Sequence, residues 1–153
     1  MATDDPATAS GGEQGTLSHV PLFAGLAPST LEALTEFTFR RTFAAGERIV
    51  EEGRTGNGLF VVLDGRVAVT KQSAAGQEQV LAELGPGEPF GEMALLGEWK
   101  RSASVRALEP ATCLGMDRWV FLAYLRRDPE LAIRVIQFLA ERLAQADQRL
   151  LQQ

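Results

Sequence analysis

Phe90-Gly91-Glu92-Met93-Ala94-Leu95 and, ten positions after its glycine, Arg101-Ser102-Ala103-Ser104-Val105 carry the groups in this chain best suited to chemistry. Glu92 can accept hydrogen bonds from a sugar hydroxyl. A helical turn starting near Gly91 leaves backbone N–H groups free for an anion. Arg101 offers fixed donors that suit phosphate oxygens. The small residues after it, Ser102, Ala103 and Ser104, let a ligand approach the backbone, and Ser102 is a further candidate contact to a phosphate or a purine. These types and spacings together fit a ribose joined to an anionic phosphate. Taken singly, each has a plainer reading: Gly91-Glu92 is a common surface-turn pair and Arg101 an ordinary solvated cation. A charge-assisted hydrogen bond contributes roughly 1.5–3 kcal/mol, so in the combined reading loss of Arg101 severely weakens phosphate binding.

Something must hold these groups in place, and the glycine spacing says what. Across residues 39–116 short apolar runs alternate with Gly46, Gly53, Gly56, Gly58, Gly65, Gly76, Gly85, Gly87, Gly91, Gly97 and Gly115. Regular punctuation of this kind predicts an all-β sandwich or barrel. Leu59-Phe60-Val61-Val62-Leu63 runs into Asp64-Gly65, a two-residue hairpin signal, and Val67 and Val69 alternate on the return strand. Ahead of the strands, Ser29-Thr30-Leu31-Glu32 has capping-box spacing and predicts a short helix through about Phe37, with Leu31, Leu34 and Phe37 on its apolar face. After them, Asp117 predicts a cap for a helix to about Arg126. Asp128-Pro129-Glu130 is a stronger start signal for a helix that nothing breaks before the C-terminus. That last helix has two apolar faces. Leu131, Val135 and Phe138 suit packing on the strands, while Ile136, Leu139, Leu143, Ala146 and Leu150 follow heptad spacing.

The bulk composition narrows the function classes. At 153 residues, 45% hydrophobic and 23% charged, the chain is one ordinary globular domain by length and composition. Residues 1–16 contain no large apolar side chain beyond Met1 and read as a flexible tail, with the domain spanning 17–153. A net charge of −5 argues against a nucleic-acid-binding chain. One histidine, His19, cannot supply a multi-imidazole metal site, and one cysteine, Cys113, cannot supply an internal disulfide; Cys113 is expected in the core. No nucleophile–base pair or Walker loop is evident, so no enzyme activity and no metal or other cofactor is expected. No run approaches the ~20 apolar residues of a membrane span, and the N-terminus has no apolar signal region. The expected location is cytoplasmic.

The phosphate-and-sugar segment is similar to the phosphate-binding cassette of the cyclic nucleotide-binding domain family. There the pattern is Phe-Gly-Glu, aliphatic, Ala-Leu, a variable stretch, then Arg, small, Ala, Ser/Thr, Val. Gly46-Glu47-Arg48-Ile49-Val50-Glu51-Glu52-Gly53, Phe60-Val61-Val62-Leu63-Asp64-Gly65-Arg66-Val67 and Leu84-Gly85-Pro86-Gly87-Glu88 resemble the strand and turn motifs of the same domain. The resemblance covers roughly residues 20–150 and is nearest to the sensor domains of catabolite-activator/Fnr-type bacterial regulators. It implies a mainly β fold with flanking helices: an antiparallel jelly roll with N-terminal helices and a long C-terminal helix. It implies that Gly91, Glu92, Met93, Ala94, Arg101, Ser102 and Ala103 bind a cyclic nucleotide, cAMP first and cGMP as the alternative, because serine follows the arginine in binders of both. Trp99 is a candidate for stacking on the purine, although packing is the commoner role of a loop tryptophan.

Two departures stand out. Lys100 occupies a position where many members have proline. Ala146 and Asp147 stand where catabolite activators place a Thr-Ser pair on the purine amino group, which leaves Asp147 as a possible base contact. The resemblance also implies a homodimer through Ile136, Leu139, Leu143, Ala146 and Leu150. Only Leu151-Gln152-Gln153 follow that seam, too few for a helix-turn-helix. The expectation is therefore a stand-alone receptor that does not bind DNA directly and signals to an unknown partner. A sensor fragment of a transcription regulator, and a degenerate interaction module that binds no nucleotide, are the alternatives.

Overall fold

A computed structural model of the chain describes residues 3–5 and 17–151. The remainder of the stretch read as a tail lies outside the described residues. Thr3–Asp5, within that stretch, form a short strand, β1, paired antiparallel with Arg40, Arg41 and Thr42.

The strands run in chain order as β2 (Phe39–Phe43), β3 (Arg48–Val50), β4 (Gly58–Asp64), β5 (Val67–Gln72), β6 (Glu78–Leu84), β7 (Pro89–Phe90), β8 (Ser104–Ala107) and β9 (Ala111–Asp117). They form two antiparallel sheets, ordered β1-β2-β9-β4-β7 and β3-β8-β5-β6. The helices are α1 (Pro28–Thr35), α2 (Arg118–Arg127) and α3 (Pro129–Leu151), with 3-10 turns at Pro21–Phe23 and Glu92–Leu95. This is the mainly β jelly roll with flanking helices and a long C-terminal helix.

The molecule has three layers, and β4 and β9 show why. Residues of a strand face opposite sides in alternation. Leu59, Val61, Leu114 and Met116 join Leu17, Phe23, Leu34, Phe121, Leu131 and Val135 in a core between the first sheet and the helices. Phe60, Val62, Ala111 and Cys113 face the other way, into a core shared with Phe43, Val67, Val105 and Ala107 of both sheets. A strand buried on both faces must be apolar throughout. That explains the unbroken Leu59–Leu63 run.

The same double burial corrects the hairpin expectation. β4 pairs with β7 and β9, whereas β5 pairs with β6 and β8. Asp64-Gly65 therefore carries the chain from one sheet to the other. Gly65 has φ +86°, and a Cβ there would lie 2.5 Å from the Pro110 carbonyl oxygen, so the crossing needs glycine. The capping-box expectation also needs correcting. Pro28 takes the first helical position, Ala27 is the cap residue, and no side chain caps α1. Proline suits that position, so the helix starts two residues earlier than the capping box implies and Ser29 falls inside its first turn.

The C-terminal start signals do what their types predict. Asp117 accepts a hydrogen bond from the Trp119 N–H at 2.7 Å, and Asp128 one from the Leu131 N–H at 3.2 Å. Leu131 and Val135 are buried, and Phe138 and Leu139 pack partly against the helix-side core. Ile136, Leu143 and Leu150 are 65–68% exposed.

Candidate functional site

Gly91 stands at the mouth of the site in a left-handed conformation, φ 79° and ψ 20°, and turns the chain out of β7 into the 3-10 turn Glu92–Leu95. Glycine adopts that conformation without the strain a Cβ would bring. The turn is anchored by Ala94 and Leu95, which are buried, while Met93 is about half exposed. Its first amides, those of Glu92 and Met93, precede the first intrahelical bond and so have no partner within the turn.

Arg101 reaches the same point from a different segment. Its N–H donates to the Arg54 carbonyl at 2.7 Å, and its own carbonyl accepts from the Gly53 N–H at 2.9 Å. The Gly56 N–H donates to the Trp99 carbonyl at 3.1 Å, and Thr55 bridges Lys100. The loop after β3 thus serves as a backing strip for the arginine. The guanidinium donates to the Gly58 carbonyl at 2.7 Å and to the Gly91 carbonyl at 3.4 Å. A Cβ on Gly91 or Gly56 would sit 2.1 Å or 2.4 Å from guanidinium nitrogens of Arg101. Both glycines are therefore clearance for this side chain. Gly56, Gly58 and the loop that carries them were not singled out from the sequence; the dense Gly53-Arg54-Thr55-Gly56-Asn57-Gly58 spacing was the available signal.

The electrostatics leave both key charges under-used. Arg101 is half-buried, and burial alone holds its basicity below the usual arginine value. Among the described residues no carboxylate pairs with it. Glu92 keeps one carboxylate oxygen buried with no hydrogen-bond partner among the described residues. Its other oxygen lies 3.8 Å from Arg142 Nη1 of α3. That distance allows an ion pair but is too long for a hydrogen bond. A carboxylate with spare acceptor capacity thus lines the same cavity as a guanidinium with no counter-ion among the described residues. Lys71, whose ammonium donates to the Ser102 carbonyl at 3.2 Å, adds positive charge beside them.

All seven residues expected from the sequence, Gly91, Glu92, Met93, Ala94, Arg101, Ser102 and Ala103, line one cavity of about 290 Å³. Its apolar wall comes from Val50, Val69, Phe90 and Val105, residues of four different strands, and Trp99 stands at its edge. Asp147 does not line this cavity. It is exposed on α3, five residues or about 7.5 Å of helix beyond Arg142. The structure thus brings together the seven residues expected to meet sugar and phosphate and leaves Asp147, the expected base contact, apart. A larger cavity, about 670 Å³, lies behind Arg101 and shares Arg101 and Val50 with the first. The smaller one is the candidate site because Gly91, Glu92 and Met93 line it and not the larger. Among the described residues, no group of three or more His, Cys, Asp or Glu could hold a metal ion.

Residues 40–128 match the family described as cyclic nucleotide-binding domain. The chain is 42% identical over 127 residues to the cyclic AMP receptor protein of Thermus thermophilus, covering 83% of this chain and 59% of that one. It is 27% identical to a CRP-like cAMP-activated global transcriptional regulator of Mycobacterium tuberculosis, covering 88% of this chain and 60% of that protein. It therefore spans about three-fifths of the length of these curated relatives. Among solved structures, the N-terminal domain of a transcriptional regulator from Streptomyces coelicolor superposes with a TM-score of 0.83 at 30% identity, covering 88% of this chain and 94% of that one.

Proposed function

This chain belongs to the cyclic nucleotide-binding domain family, and from that premise we propose that it is a non-catalytic receptor for a cyclic nucleotide, cAMP in the first instance. One observation carries the reading. A single cavity collects a carboxylate oxygen on Glu92 that has no hydrogen-bond partner, and a guanidinium on Arg101 that has no counter-ion, among the described residues, beside an apolar wall. In this reading Glu92 accepts from the ribose 2′-hydroxyl. Arg101, the Glu92 and Met93 amides, and Ser102 meet the cyclic phosphate, and the purine lies against Val50 and Val69. The preference for cAMP over cGMP is supported by the named ligands of the Thermus and Mycobacterium relatives.

Signalling requires that the nucleotide favour one placement of α3, since equal affinity for two states shifts no population. Arg142 is the described link, because it stands on α3 and faces Glu92. The exposed Ile136, Leu143 and Leu150, with Leu139 and Ala146, form the seam of a homodimer in this reading. The partner that receives the signal is a protein, or a further domain of the same polypeptide.

Calorimetric titration with cAMP and cGMP tests the proposal. A ligand of about 22 non-hydrogen atoms at roughly −0.3 kcal/mol each gives a Kd on the order of ten micromolar. Arg101→Ala should weaken it at least about tenfold, the effect of losing a charge-assisted hydrogen bond. Equal binding by the variant would remove the assigned phosphate role. No binding of either nucleotide by the wild-type chain would favour an interaction module that has kept the fold without the ligand.

A further inference from the structure

Among the described residues, Arg118 is the one charged side chain that is fully buried, and nothing in the nucleotide reading uses it. It begins α2, one residue after the Asp117 cap. Nη1 donates to the Gly97 carbonyl at 3.0 Å and, at the long limit of 3.5 Å, to the Gly56 carbonyl. Nη2 donates to Glu98 Oε1 at 3.2 Å. The Arg118 backbone N–H donates to the Asn57 carbonyl at 2.8 Å. The Trp119 ring closes the outer side, its centroid 4.7 Å from the guanidinium carbon.

Burying a cation is costly unless a counter-ion or hydrogen bonds replace its water. Glu98 is 71% exposed, so solvent screens much of its charge. Backbone carbonyls therefore satisfy most of this guanidinium. Starting α2 does not require such an arrangement, because Asp117 already caps it. The two loops that Arg118 joins are a better reason. Gly97 and Glu98 come just after Leu96, the C-cap residue of the 3-10 turn that carries Glu92. Gly56 lies against the Arg101 guanidinium, and its N–H holds the Trp99 carbonyl. Arg118 thus ties the end of the sugar-binding turn to the strip behind the phosphate arginine.

We propose that Arg118 is a positioning residue for this site. By clamping Gly97 and Glu98 to Gly56 and Asn57, it fixes Arg101 and Glu92 at the separation a single sugar phosphate spans. It touches neither ligand nor cavity and acts through Arg101. Its consequence for affinity rests on the nucleotide reading; the clamp itself rests only on the geometry.

The experiment uses the full chain with Arg118→Met and Arg118→Lys, compared by thermal melting, cAMP calorimetry and arginine side-chain NMR without nucleotide. An Arg101→Ala spectrum assigns the Arg101 Nε–H signal. In the wild type that signal should be resolved and slowly exchanging, because its guanidinium is held by the Gly58 and Gly91 carbonyls. In folded Arg118→Met it should collapse towards the position of a solvated arginine, and cAMP affinity should fall about tenfold, as for the loss of a charge-assisted hydrogen bond. Arg118→Lys should fall between, since one ammonium reaches one carbonyl but does not span two loops. An unchanged Arg101 signal in either folded variant, or an affinity within about twofold of wild type in a chain that binds, would overturn the proposal. Should the methionine variant not fold, the lysine variant decides by the same criteria. Should the wild type bind no cyclic nucleotide, the nucleotide reading falls, and the Arg101 signal alone decides the clamp.

Discussion

Single residues decide whether Arg101 can work, and most of them are glycines. Gly56 carries no side chain because Arg101 Nε occupies the space a Cβ would need, 2.4 Å away. Gly56→Ala should therefore leave the fold intact, push the guanidinium out of place and weaken cAMP binding at least about tenfold by calorimetry, equivalent to one lost charge-assisted bond. Cys113 is a different kind of residue, buried between the sheets with its thiol pushed up to about 12 by desolvation. The unfolded chain loses this proton near the ordinary value of about 8.5, while the folded chain keeps it. Between those values the unfolded state binds fewer protons, so stability falls as pH rises; below about pH 8.5 the full contribution is present. Denaturant unfolding should show this alkaline slope in the wild type and a shallower one in Cys113→Ala. The thiol should also resist a disulfide reagent until the protein unfolds. Cys113 was legible as a core residue from its type alone. Gly56 was not, because a glycine in a loop looks the same whether it serves a turn or a neighbouring guanidinium.

At the scale of elements, the helices were written locally and the strand pairing was not. Asp117 and Asp128-Pro129 announced α2 and α3 because a cap bonds amides within three residues of itself. Asp128→Ala should cost about 1 kcal/mol of stability by denaturant unfolding, the usual effect of losing a cap. The Asp64-Gly65 turn misled for the complementary reason. Turn chemistry specifies a reversal of the chain, but the choice of partner strand belongs to long-range packing, and β4 and β5 each found others. The link between α3 and the cassette is likewise a contact between distant elements. Arg142 is 55% exposed, and a screened pair of this kind is worth little stability, roughly 0–1 kcal/mol. Arg142→Ala should accordingly change cAMP affinity by no more than about fivefold. It should, however, abolish the ligand-dependent change in amide hydrogen exchange along α3. Retention of that change would show that the cassette reaches α3 by another route.

At the scale of the whole molecule, α3 presents two unlike faces. Its inner face buries Leu131 and Val135, while Ile136, Leu143 and Leu150 repeat every seven residues on a face left to solvent. Light scattering of the wild-type chain should give twice the monomer mass, and Leu143→Glu should halve it, because a charge at a heptad core position opposes burial. A wild-type monomer with and without cAMP would refute the seam. The residue types and spacing of the Gly91–Ala103 segment were legible in the sequence, and the structure gathers its seven candidate residues around one cavity. Glycine for a left-handed turn, a carboxylate for hydroxyls and a guanidinium for phosphate are properties of residue types at fixed spacing within one short segment. The periodicities of α2 and α3, and the alternation of strands with glycine turns, are equally local. Tertiary structure decided the rest. It chose the partners of β4 and β5, built the apolar wall from Val50, Val69, Phe90 and Val105, set the Gly56 loop behind Arg101, and buried Arg118 between two loops. Those arrangements join residues far apart in the chain, and only the need to bury apolar surface and satisfy every enclosed polar group brings such residues together.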